Sequence, residues 1–316
     1  MLAMMPNPTH RAILGKALVV LWASLGIVSS LQAQAVNFTW KLRAGDVFYH
    51  LTDTEVTTTV ALPQGDNTER SRLIILHRYE VLQSDPKGYV LQQTVEEVET
   101  NDSGILGNIY NQFRGLKLKL TIDPNFRITK IEGLEQLLER LGTEDPVLGK
   151  FVAELVNENV IRQQLQSEFH FLPEKPVAPG DKWQRHLSLT VGPLGTLSLD
   201  QTFTYQGTTS VGGKTLDRIE MSARATFSPP KGNEDLPVRV TKGELQEQSL
   251  KGSYLFDREA GRLVSAQWEG KYRFRLYLVE GKPNPTKELV MDLTQHQTHR
   301  SEVTTERPRV PSLRNR

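Results

Sequence analysis

The sequence predicts a β-rich α+β fold, in which curved antiparallel sheets from two related halves pack against a central helical segment. Apolar residues alternate with polar ones over most of the chain, which is typical of half-buried strands. The period changes to three and four only in residues 134–167, so helices are expected there, on the concave face of the sheets. The turn sequence Gly45-Asp46 returns at Gly180-Asp181, which indicates two related halves.

The N-terminus has the three parts of a signal peptide. Arg11 and Lys16 precede an apolar run over residues 17–31, and Ala33-Gln34-Ala35 supplies the small residues that a signal peptidase reads. We expect cleavage after Ala35, because cleavage after Ala33 would place Leu31 at a position that needs a small residue. The run is shorter than the about 20 residues of a membrane span. A retained anchor helix is the alternative, and the predicted location is periplasmic or extracellular.

Composition excludes several classes of protein. The chain has no cysteine, so it forms no disulfide, thiolate metal site or thiol nucleophile, and it carries no lipidated N-terminal cysteine. Its 38 basic and 37 acidic residues give a net charge of +1, which does not favour nucleic acid as a partner. No Walker loop, Gly-x-Ser-x-Gly elbow or His-Glu-x-x-His motif occurs, and no cofactor is predicted.

The first β-rich half is expected over residues 36–133. Residues 72–82 and 89–99 are predicted to form a hairpin around the turn at residues 85–88, and residues 101–108 are predicted to be a loop. Residues 116–122 alternate strictly, with Lys117 and Lys119 facing outward. An Asp-Pro-Asn turn at Asp123 then leads into a last strand.

The helical segment is expected over residues 134–170, with Asp145 as an N-cap before a proline. The second β-rich half follows over residues 171–300. It contains a predicted turn at residues 192–195, a hairpin turn at residues 211–214 and a last strand over residues 288–298. The tail, residues 301–316, is predicted to be disordered.

A longer match supports the internal duplication. Residues 120–133 and residues 254–270 both contain a strand, an aspartate that starts a turn, an arginine followed by an aliphatic residue, and a final Glu-Gly. The interval from Asp46 to Asp123 differs by one residue from the interval between Asp181 and Asp257. Two unrelated sets of β-turns are the alternative.

Two of these segments carry a resemblance to a known family. They are residues 173–183, Pro-Glu-Lys-Pro-Val-Ala-Pro-Gly-Asp-Lys-Trp, and residues 123–133, Asp-Pro-Asn-Phe-Arg-Ile-Thr-Lys-Ile-Glu-Gly. With them the chain resembles the secreted bacterial family filed under domain of unknown function 6263, over residues 42–293. The resemblance implies an exported, envelope-located protein, and it offers no catalytic residues.

Histidines are the usual general bases and metal ligands. His296 and His299 are close in sequence, but a separation of three on a strand points their rings to opposite faces, so we predict no metal there. His77, His170 and His186 lie beside apolar or aromatic residues. We interpret them as hydrogen-bonded histidines at a sheet edge.

Several charged residues could take part in catalysis or in binding a polyanion. Glu96, Glu97, Glu132 and Asp181 could serve as acid and base at a glycosidic bond, although solvated surface positions explain them more simply. Two outward basic stripes could meet a polyanion, or they could only discourage edge pairing of a soluble sheet. The stripes consist of Lys117 and Lys119, and of Lys271, Arg273 and Arg275.

The predicted function is that of a non-enzymatic envelope protein that binds an apolar or amphipathic ligand in a cleft between sheet and helices. A lipid is the expected kind of ligand. One alternative is a scaffold or assembly factor that binds another envelope protein by a sheet edge, and a further alternative is a hydrolase that uses carboxylates. No catalytic, cofactor-binding or metal-binding residue is predicted, and neither is a transmembrane anchor after signal cleavage. The candidate cleft residues are aromatic: Trp183, Phe203, Tyr205, Trp268, Tyr272 and Phe274.

Overall fold

The computed structural model describes residues 34–61, 65–142, 152–153, 156–190, 195–230, 238–280 and 288–313. These residues are mostly β, with 63% in strands. The predicted signal peptide, the Asp145 N-cap and most of the predicted turn at residues 192–195 lie outside the described residues. The strands are β1 (Val47–Ala61), β2 (Asn67–Asp85), β3 (Gly88–Thr100), β4 (Lys117–Ile122), β5 (Ile128–Glu132), β6 (Lys182–Thr190), β7 (Thr196–Val211), β8 (Lys214–Ser228), β9 (Val238–Asp257), β10 (Arg262–Glu280) and β11 (Glu288–Thr304).

All eleven of these strands join one antiparallel sheet, in the order β5-β4-β3-β2-β1-β11-β10-β9-β8-β7-β6. The β-rich antiparallel prediction is confirmed, with one continuous sheet in place of several. Both predicted hairpins form, with β2 paired to β3 around residues 85–88 and β7 paired to β8 around residues 211–214. The last strand, β11, pairs with β1 on one side and β10 on the other, and so joins the two ends of the chain.

The two Gly-Asp turns have the same hydrogen bonds. Gly45 and Gly180 adopt φ angles of +90° and +94°, a left-handed region that favours glycine. The N–H of Gly45 donates to the carbonyl of Val81 at 2.8 Å, and that of Gly180 donates to the carbonyl of Tyr205 at 2.7 Å. In both turns the aspartate that follows accepts from the backbone N–H three residues earlier, at 2.8 Å. This shared geometry is what a duplication predicts, and the duplication itself remains an inference.

Three helices are described: α1 (Ile105–Gln112), α2 (Leu134–Arg140) and α3 (Glu158–Phe169). The last two fall in the predicted helical segment. The first begins inside the loop predicted for residues 101–108 and continues to Gln112, with Ile109 buried in the core. Gly107 permits this turn of helix, since a Cβ at that position would lie 1.8 Å from the carbonyl oxygen of Asp102. The composition of this segment is typical of a loop, so the sequence did not predict a helix that is stabilised by burial in the tertiary structure.

The C-terminal segment also departs from the prediction. β11 continues to Thr304, where the predicted last strand ends at residue 298, because both neighbouring strands extend beside it. Beyond the strand, Arg307 donates from Nε to Glu96 at 2.8 Å and from Nη2 to Glu97. Residues 301–313 are therefore held against the sheet where disorder was expected.

The N-terminal segment, residues 34–46, packs into the core through the side chains of Phe38, Trp40 and Leu42. Trp40 is 9% exposed and its ring lies 5.5–5.9 Å from four others, those of Phe126, Phe169, Phe171 and Phe256. The first of these rings lies in the turn between β4 and β5, and the last lies on β9. Burying a large aromatic side chain contributes roughly 1.5–3 kcal/mol, so this ring is a main stabilising contact between distant strands.

Helix α3 begins at a good N-cap and has one apolar face. The side chain of Asn157 accepts from the N–H of Val160 at 3.1 Å, and Glu158 lies in the first turn, where a carboxylate is favourable. Its buried residues recur at spacings of one and four, as expected of an amphipathic helix. They are Val160, Ile161, Leu165 and Phe169.

The same helix contacts both outer strands of the sheet. Gln166 accepts from the N–H of Ile128 at 2.7 Å, and Arg162 donates to the carbonyl of that residue at 2.9 Å, so β5 is held on its open side. Gln163 accepts from the N–H of Thr190 at 3.3 Å, at the end of β6. Helix α3 therefore satisfies backbone groups on both edges.

Candidate functional site

A cavity of about 1040 Å³ lies between the sheet and helices α1 and α3. It is at the upper end of the roughly 300–1000 Å³ of ligand sites. Side chains from β2 and β6 both line it, although seven strand intervals separate these strands in the sheet. In a flat sheet that separation would be about 34 Å, at about 4.8 Å per interval, so the sheet must curve around the cavity.

One wall of the cavity is apolar. It comes from β6 to β10, the strands of the second half, whose inward positions carry mostly aliphatic and aromatic side chains at the period of two that a strand dictates. Gln201 and Arg185 are polar exceptions in this lining. Within this wall, Phe203 is 1% exposed and Met221 is 3% exposed, so the wall is part of the core. Representative lining residues are Leu187, Leu199, Phe203, Met221, Leu250 and Trp268.

The adjoining wall is polar and comes from β1 and β11. Thr54 lies directly opposite His299 in the register, and Thr58 lies opposite Gln295. The hydroxyl of Thr54 and Nδ1 of His299 are 2.9 Å apart. Because these strands are neighbours, their inward residues form a ladder of cross-strand pairs. Thr52 with Ser301 and Val56 with Gln297 complete it.

A buried network closes one end of this ladder. Nδ1 of His50 lies 3.3 Å from Oε2 of Glu168 on α3. The hydroxyl of Tyr79 donates to the same oxygen at 3.0 Å, and Gln93 donates to that hydroxyl at 2.8 Å. Burial raises the pKa of Glu168, but the adjacent histidines and the Tyr79 hydroxyl outweigh it and lower the pKa to about 2. The carboxylate is therefore ionised at neutral pH.

His77 lies opposite His50 in the β1–β2 register, with the two rings 6.2 Å apart. Burial lowers the pKa of His77 to about 4, so this ring is neutral at neutral pH. Nδ1 of His77 and Nε2 of His50 are buried and have no hydrogen-bond partner in the described structure. The interpretation of His77 as a hydrogen-bonded residue at a sheet edge is wrong, because β2 is paired on both sides.

His170 lies at the C-terminal end of α3 and not on a strand, so its interpretation as a sheet-edge residue is wrong as well. His186, His296 and His299 follow their predictions more closely. His186 lies on the outer strand β6, with Nδ1 2.9 Å from Asp200. His296 and His299 point to opposite faces, as predicted. Nε2 of His296 lies 2.8 Å from Glu269, whereas His299 stacks on Trp268 inside the cavity at 5.1 Å. Burial lowers the pKa of His299 to about 4. Within the described residues no group of three or more His, Asp or Glu side chains is arranged to hold a metal ion.

A smaller cavity of about 290 Å³ adjoins the large one. His50, Glu168 and Leu263 line both, so the histidine–carboxylate pair stands between the two spaces. The smaller cavity is otherwise lined mainly by apolar core residues such as Trp40 and Phe169, with charged side chains around it.

Of the six predicted cleft residues, three line the large cavity and three do not. The three that line it are Phe203, Trp268 and Tyr272. Trp183 stacks on Phe203 from outside the lining, and its indole donates to the carbonyl of Phe171 at 2.8 Å. Tyr205 donates to Asp217 at 2.6 Å, and Phe274 packs on Phe227. A role for any of the six in binding remains a prediction.

The candidate carboxylates are each engaged in local contacts. Glu96 and Glu97 pair with Arg307, and Glu132 lies 3.1 Å from Nζ of Lys130. Asp181 accepts within its own turn. None of the four lines either of the two cavities.

The second basic stripe is neutralised by neighbouring acidic residues. Lys271 lies 3.0 Å from Glu269, and Arg273 lies 2.9 Å from Glu247. Arg275 makes a two-pronged contact with Asp292, at 2.8 Å for each nitrogen. This face therefore offers little free positive charge to a polyanion.

Sequence reasoning missed His50 and Glu168. A signal for each was present, since His50 belongs to the alternating inward series of β1 with Thr52 and Thr54. Glu168 follows Ile161 by seven residues and Leu165 by three, which places it beside the apolar face of α3. What the pattern could not supply is the pairing of these two residues across the fold.

The fold and the site together define a single-sheet β protein with an internal cavity of mixed polarity. Residues 83–236 match the model of a family of unknown function (DUF6263). This match supports the assignment of the chain to that family, and it confirms the predicted resemblance over residues 83–236. No curated protein matches the chain.

Among solved structures, the chain is similar to one described as lipid–protein interactions in lipovitellin. The identity is 13% and the TM-score 0.44, and the likeness covers 87% of this chain and 27% of that one. Rv2717c from M. tuberculosis matches at 12% identity and a TM-score of 0.18, covering 77% of this chain and 89% of its own. The COG4313 outer membrane channel from Pseudomonas putida F1 matches at 9% and 0.18, covering 86% and 99%. At such scores none of these likenesses bears on what the chain binds.

In the described part of the chain, no helix has the length and apolar character needed to cross a membrane.

Proposed function

We propose that the chain is a non-enzymatic binding protein that holds an amphipathic ligand in the large cavity. The observation that carries the proposal is the division of one cavity into an apolar wall from β6 to β10 and a polar wall from β1 and β11. A ligand with an apolar chain and a polar head can lie with each part against the matching wall. A purely apolar ligand would leave the Thr, Gln and His groups of the polar wall without partners, which is costly.

The apolar wall can supply enough free energy for specific binding. Transfer of each CH₂ from water contributes about 0.8 kcal/mol, so a chain of roughly 12 carbons brings about 10 kcal/mol before the costs of immobilisation. The wall consists largely of core residues on paired strands, so it is preformed and little ordering cost is expected.

The non-enzymatic character is supported by the positions of the charged residues. The four carboxylates considered for hydrolysis are engaged in ion pairs or a turn, away from the cavity. Inside the cavity, the carboxylate of Glu168 is already bonded to His50 and Tyr79. Two other carboxylates line the cavity: Glu69 is exposed to solvent, and Asp102 accepts from the N–H of Gly104 at 2.7 Å.

The scaffold alternative receives less support. It requires an outer strand whose backbone groups are open to a partner, and α3 side chains already bond both backbone groups of Ile128 in β5 and the N–H of Thr190 in β6.

We also propose that the protein is exported, with cleavage after Ala35. Val36 is paired with Val177 by two backbone hydrogen bonds of 2.8 and 2.9 Å, so a chain that begins at Val36 retains its first contact with the fold. The intact mass of protein recovered from the periplasm or medium tests this. A mass that includes residues 1–35 would contradict it.

Binding is tested by expressing the full chain in a bacterium, purifying it without detergent and recording native mass spectra before and after organic extraction. We expect a bound species of lipid mass that extraction removes. Ala266→Phe adds a ring to the cavity lining and should abolish the adduct, whereas Val211→Phe adds the same ring at an exposed hairpin turn and should retain it. Circular dichroism checks that both variants fold. A clean apo mass for the wild type, also after incubation with lipid extract, would overturn the proposal.

A further inference from the structure

We propose that the polar wall selects an uncharged head group rich in hydroxyl or carbonyl groups, so that the ligand is a neutral amphiphile of the glycerol-ester class. This inference rests on the proposed function and names the chemistry of its ligand. It follows from the kind of polar group on the wall, from the groups left unpaired and from the pairing of the two half-buried arginines beside the cavity.

The polar wall is composed of groups that both donate and accept hydrogen bonds. Threonine and serine hydroxyls and glutamine amides have this double capacity, and none of them carries charge. They occupy inward positions of two neighbouring strands and form a strip that is interrupted by Val56 on β1 and by His299 on β11. The strip contains Thr52, Thr54, Thr58, Gln295, Gln297 and Ser301.

Several of these side chains have donors and acceptors that form no hydrogen bond with another described residue. The side-chain amides of Gln295 and Gln297 have no hydrogen bond to any other described residue, and both residues are half-buried in the lining. Half-buried polar groups are normally satisfied by water or by a ligand. A head group with several hydroxyl or carbonyl oxygens matches two adjacent amides, which present both donors and acceptors.

His50 adds a second observation at the end of the strip. Its residue is 5% exposed, its Nε2 is buried without a partner, and it occupies the inward position next to Thr52 on β1. A buried ring nitrogen without a partner carries a desolvation cost of about 1–3 kcal/mol. A ligand hydroxyl that reaches this nitrogen removes the cost.

The two half-buried arginines beside the cavity are already paired. Arg72 donates to both carboxylate oxygens of Asp53, at 2.8 and 2.6 Å. Arg185 lies 3.5 Å from Glu174 and donates to the carbonyls of His170 at 3.2 Å and Leu172 at 2.6 Å. Arg70 is exposed to solvent at the rim. A carboxylate or phosphate head inside the cavity would therefore lose its hydration without gaining a free counter-charge from either half-buried arginine.

A carboxylate beside the polar strip acts in the same direction. Glu168 lies at the end of the polar strip, where it repels an anionic head. It is also a poor site for a cationic head, because His50 and Tyr79 already occupy its Oε2 atom. Neutral heads are the class that meets no electrostatic cost at either place.

The test compares four amphiphiles that share one C18 chain: monooleoylglycerol, oleate, oleylamine and lysophosphatidylcholine. Each competes with a fluorescent apolar probe bound to the delipidated full chain. We expect monooleoylglycerol to bind at least about 10-fold more tightly than each of the others. The double variant Thr54→Val/Gln297→Leu should lose that preference and keep its affinity for the probe. Gln267→Leu changes an exposed glutamine that bonds Ser253 at 3.3 Å, outside the cavity lining, and should behave as wild type.

The outcomes separate the two proposals. If the probe and all four amphiphiles fail to bind, the proposed function falls together with this inference. If all four bind within about threefold of one another, or if a charged head binds most tightly, binding stands and the head-group assignment is overturned. If the double variant Thr54→Val/Gln297→Leu still prefers monooleoylglycerol, the polar wall does not select the head group, and that part of the inference is overturned.

Discussion

Trp40 donates its indole N–H to the backbone carbonyl of Phe169 at 3.2 Å, across 129 residues of sequence. Phe169 is the last residue of α3, where helix carbonyls lack intrahelical partners. The next three carbonyls are held as well, since Trp183 donates to Phe171 and Arg185 donates to the carbonyls on either side of it. Three side chains from two parts of the chain therefore fix the end of the helix that carries Glu168 into the cavity.

Trp40→Phe should reduce the free energy of unfolding by about 1–3 kcal/mol, because it leaves a carbonyl of the buried Phe169 without its donor. Trp183→Phe removes a similar bond at a half-buried position, where water can replace it, and should cost less. Urea unfolding of both variants measures the difference. Equal losses would contradict the view that burial decides the cost.

Tyr79→Phe should destabilise the protein by about 1–3 kcal/mol, because the hydroxyl links Gln93 to Glu168 in the core. Gln93 is 2% exposed, so its amide would be left buried and unsatisfied. The double variant Tyr79→Phe/Gln93→Leu removes both partners and should recover part of the loss. Urea unfolding of the single and double variants tests this, and additive losses would show that the two groups are not coupled.

The sequence was most informative where structure is local. The hairpins at residues 85–88 and 211–214 form as predicted, because turn residues and period-two alternation act over a few positions. The outward position of Lys117 and Lys119 follows for the same reason. The pairing of β1 with β11, which makes one continuous sheet, joins the two ends of the chain and leaves no local signal.

The sequence predicted the general character of the candidate site but only some of the residues that line it. A cleft lined by aromatic residues was expected, and Phe203, Trp268 and Tyr272 do line the cavity. Trp183, Tyr205 and Phe274 alternate on their strands in the same way, yet they pack against neighbours outside the lining. Periodicity gives the face of a strand, whereas the position along a curved sheet decides whether that face meets the cavity or the core.

Gly261→Ala should destabilise the protein more than Gly45→Ala does. Gly261 has a φ of +63° and its carbonyl accepts from the N–H of Lys41 at 2.8 Å. A Cβ there would lie 2.6 Å from that backbone nitrogen, so the N-terminal segment would have to move away from the turn between β9 and β10.

Gly45 is the matched control, because its φ of +90° is equally unfavourable for alanine but no atom lies within 4 Å of the added Cβ. It should show only the backbone cost of about 1–2 kcal/mol. Thermal unfolding of both variants gives the comparison. If Gly45→Ala proves the more costly of the two, the contact between the N-terminal segment and the turn contributes little.

Acid should destabilise the fold through His77. Burial lowers the pKa of His77 from 6.5 to about 4, so between these values the unfolded chain binds a proton that the folded chain does not. Stability from this group is complete above pH 6.5 and is lost as pH falls towards 4, by about 1.4 kcal/mol per pH unit. The lowered pKa of His299 acts in the same range, and that of Glu168 adds a further loss between about pH 4.5 and 2.

His77→Leu removes the first of these contributions, so its stability should fall less steeply between pH 6.5 and 4.5 than that of the wild type. Ile74→Val shortens a fully buried neighbour on the same strand and costs about 0.5–1.5 kcal/mol without changing a titrating group, so its slope should equal that of the wild type. Urea unfolding at half-unit intervals of pH provides the slopes. Parallel curves for His77→Leu and the wild type would mean that His77 takes up its proton equally in the folded and unfolded states, and that its ring is not held neutral by burial.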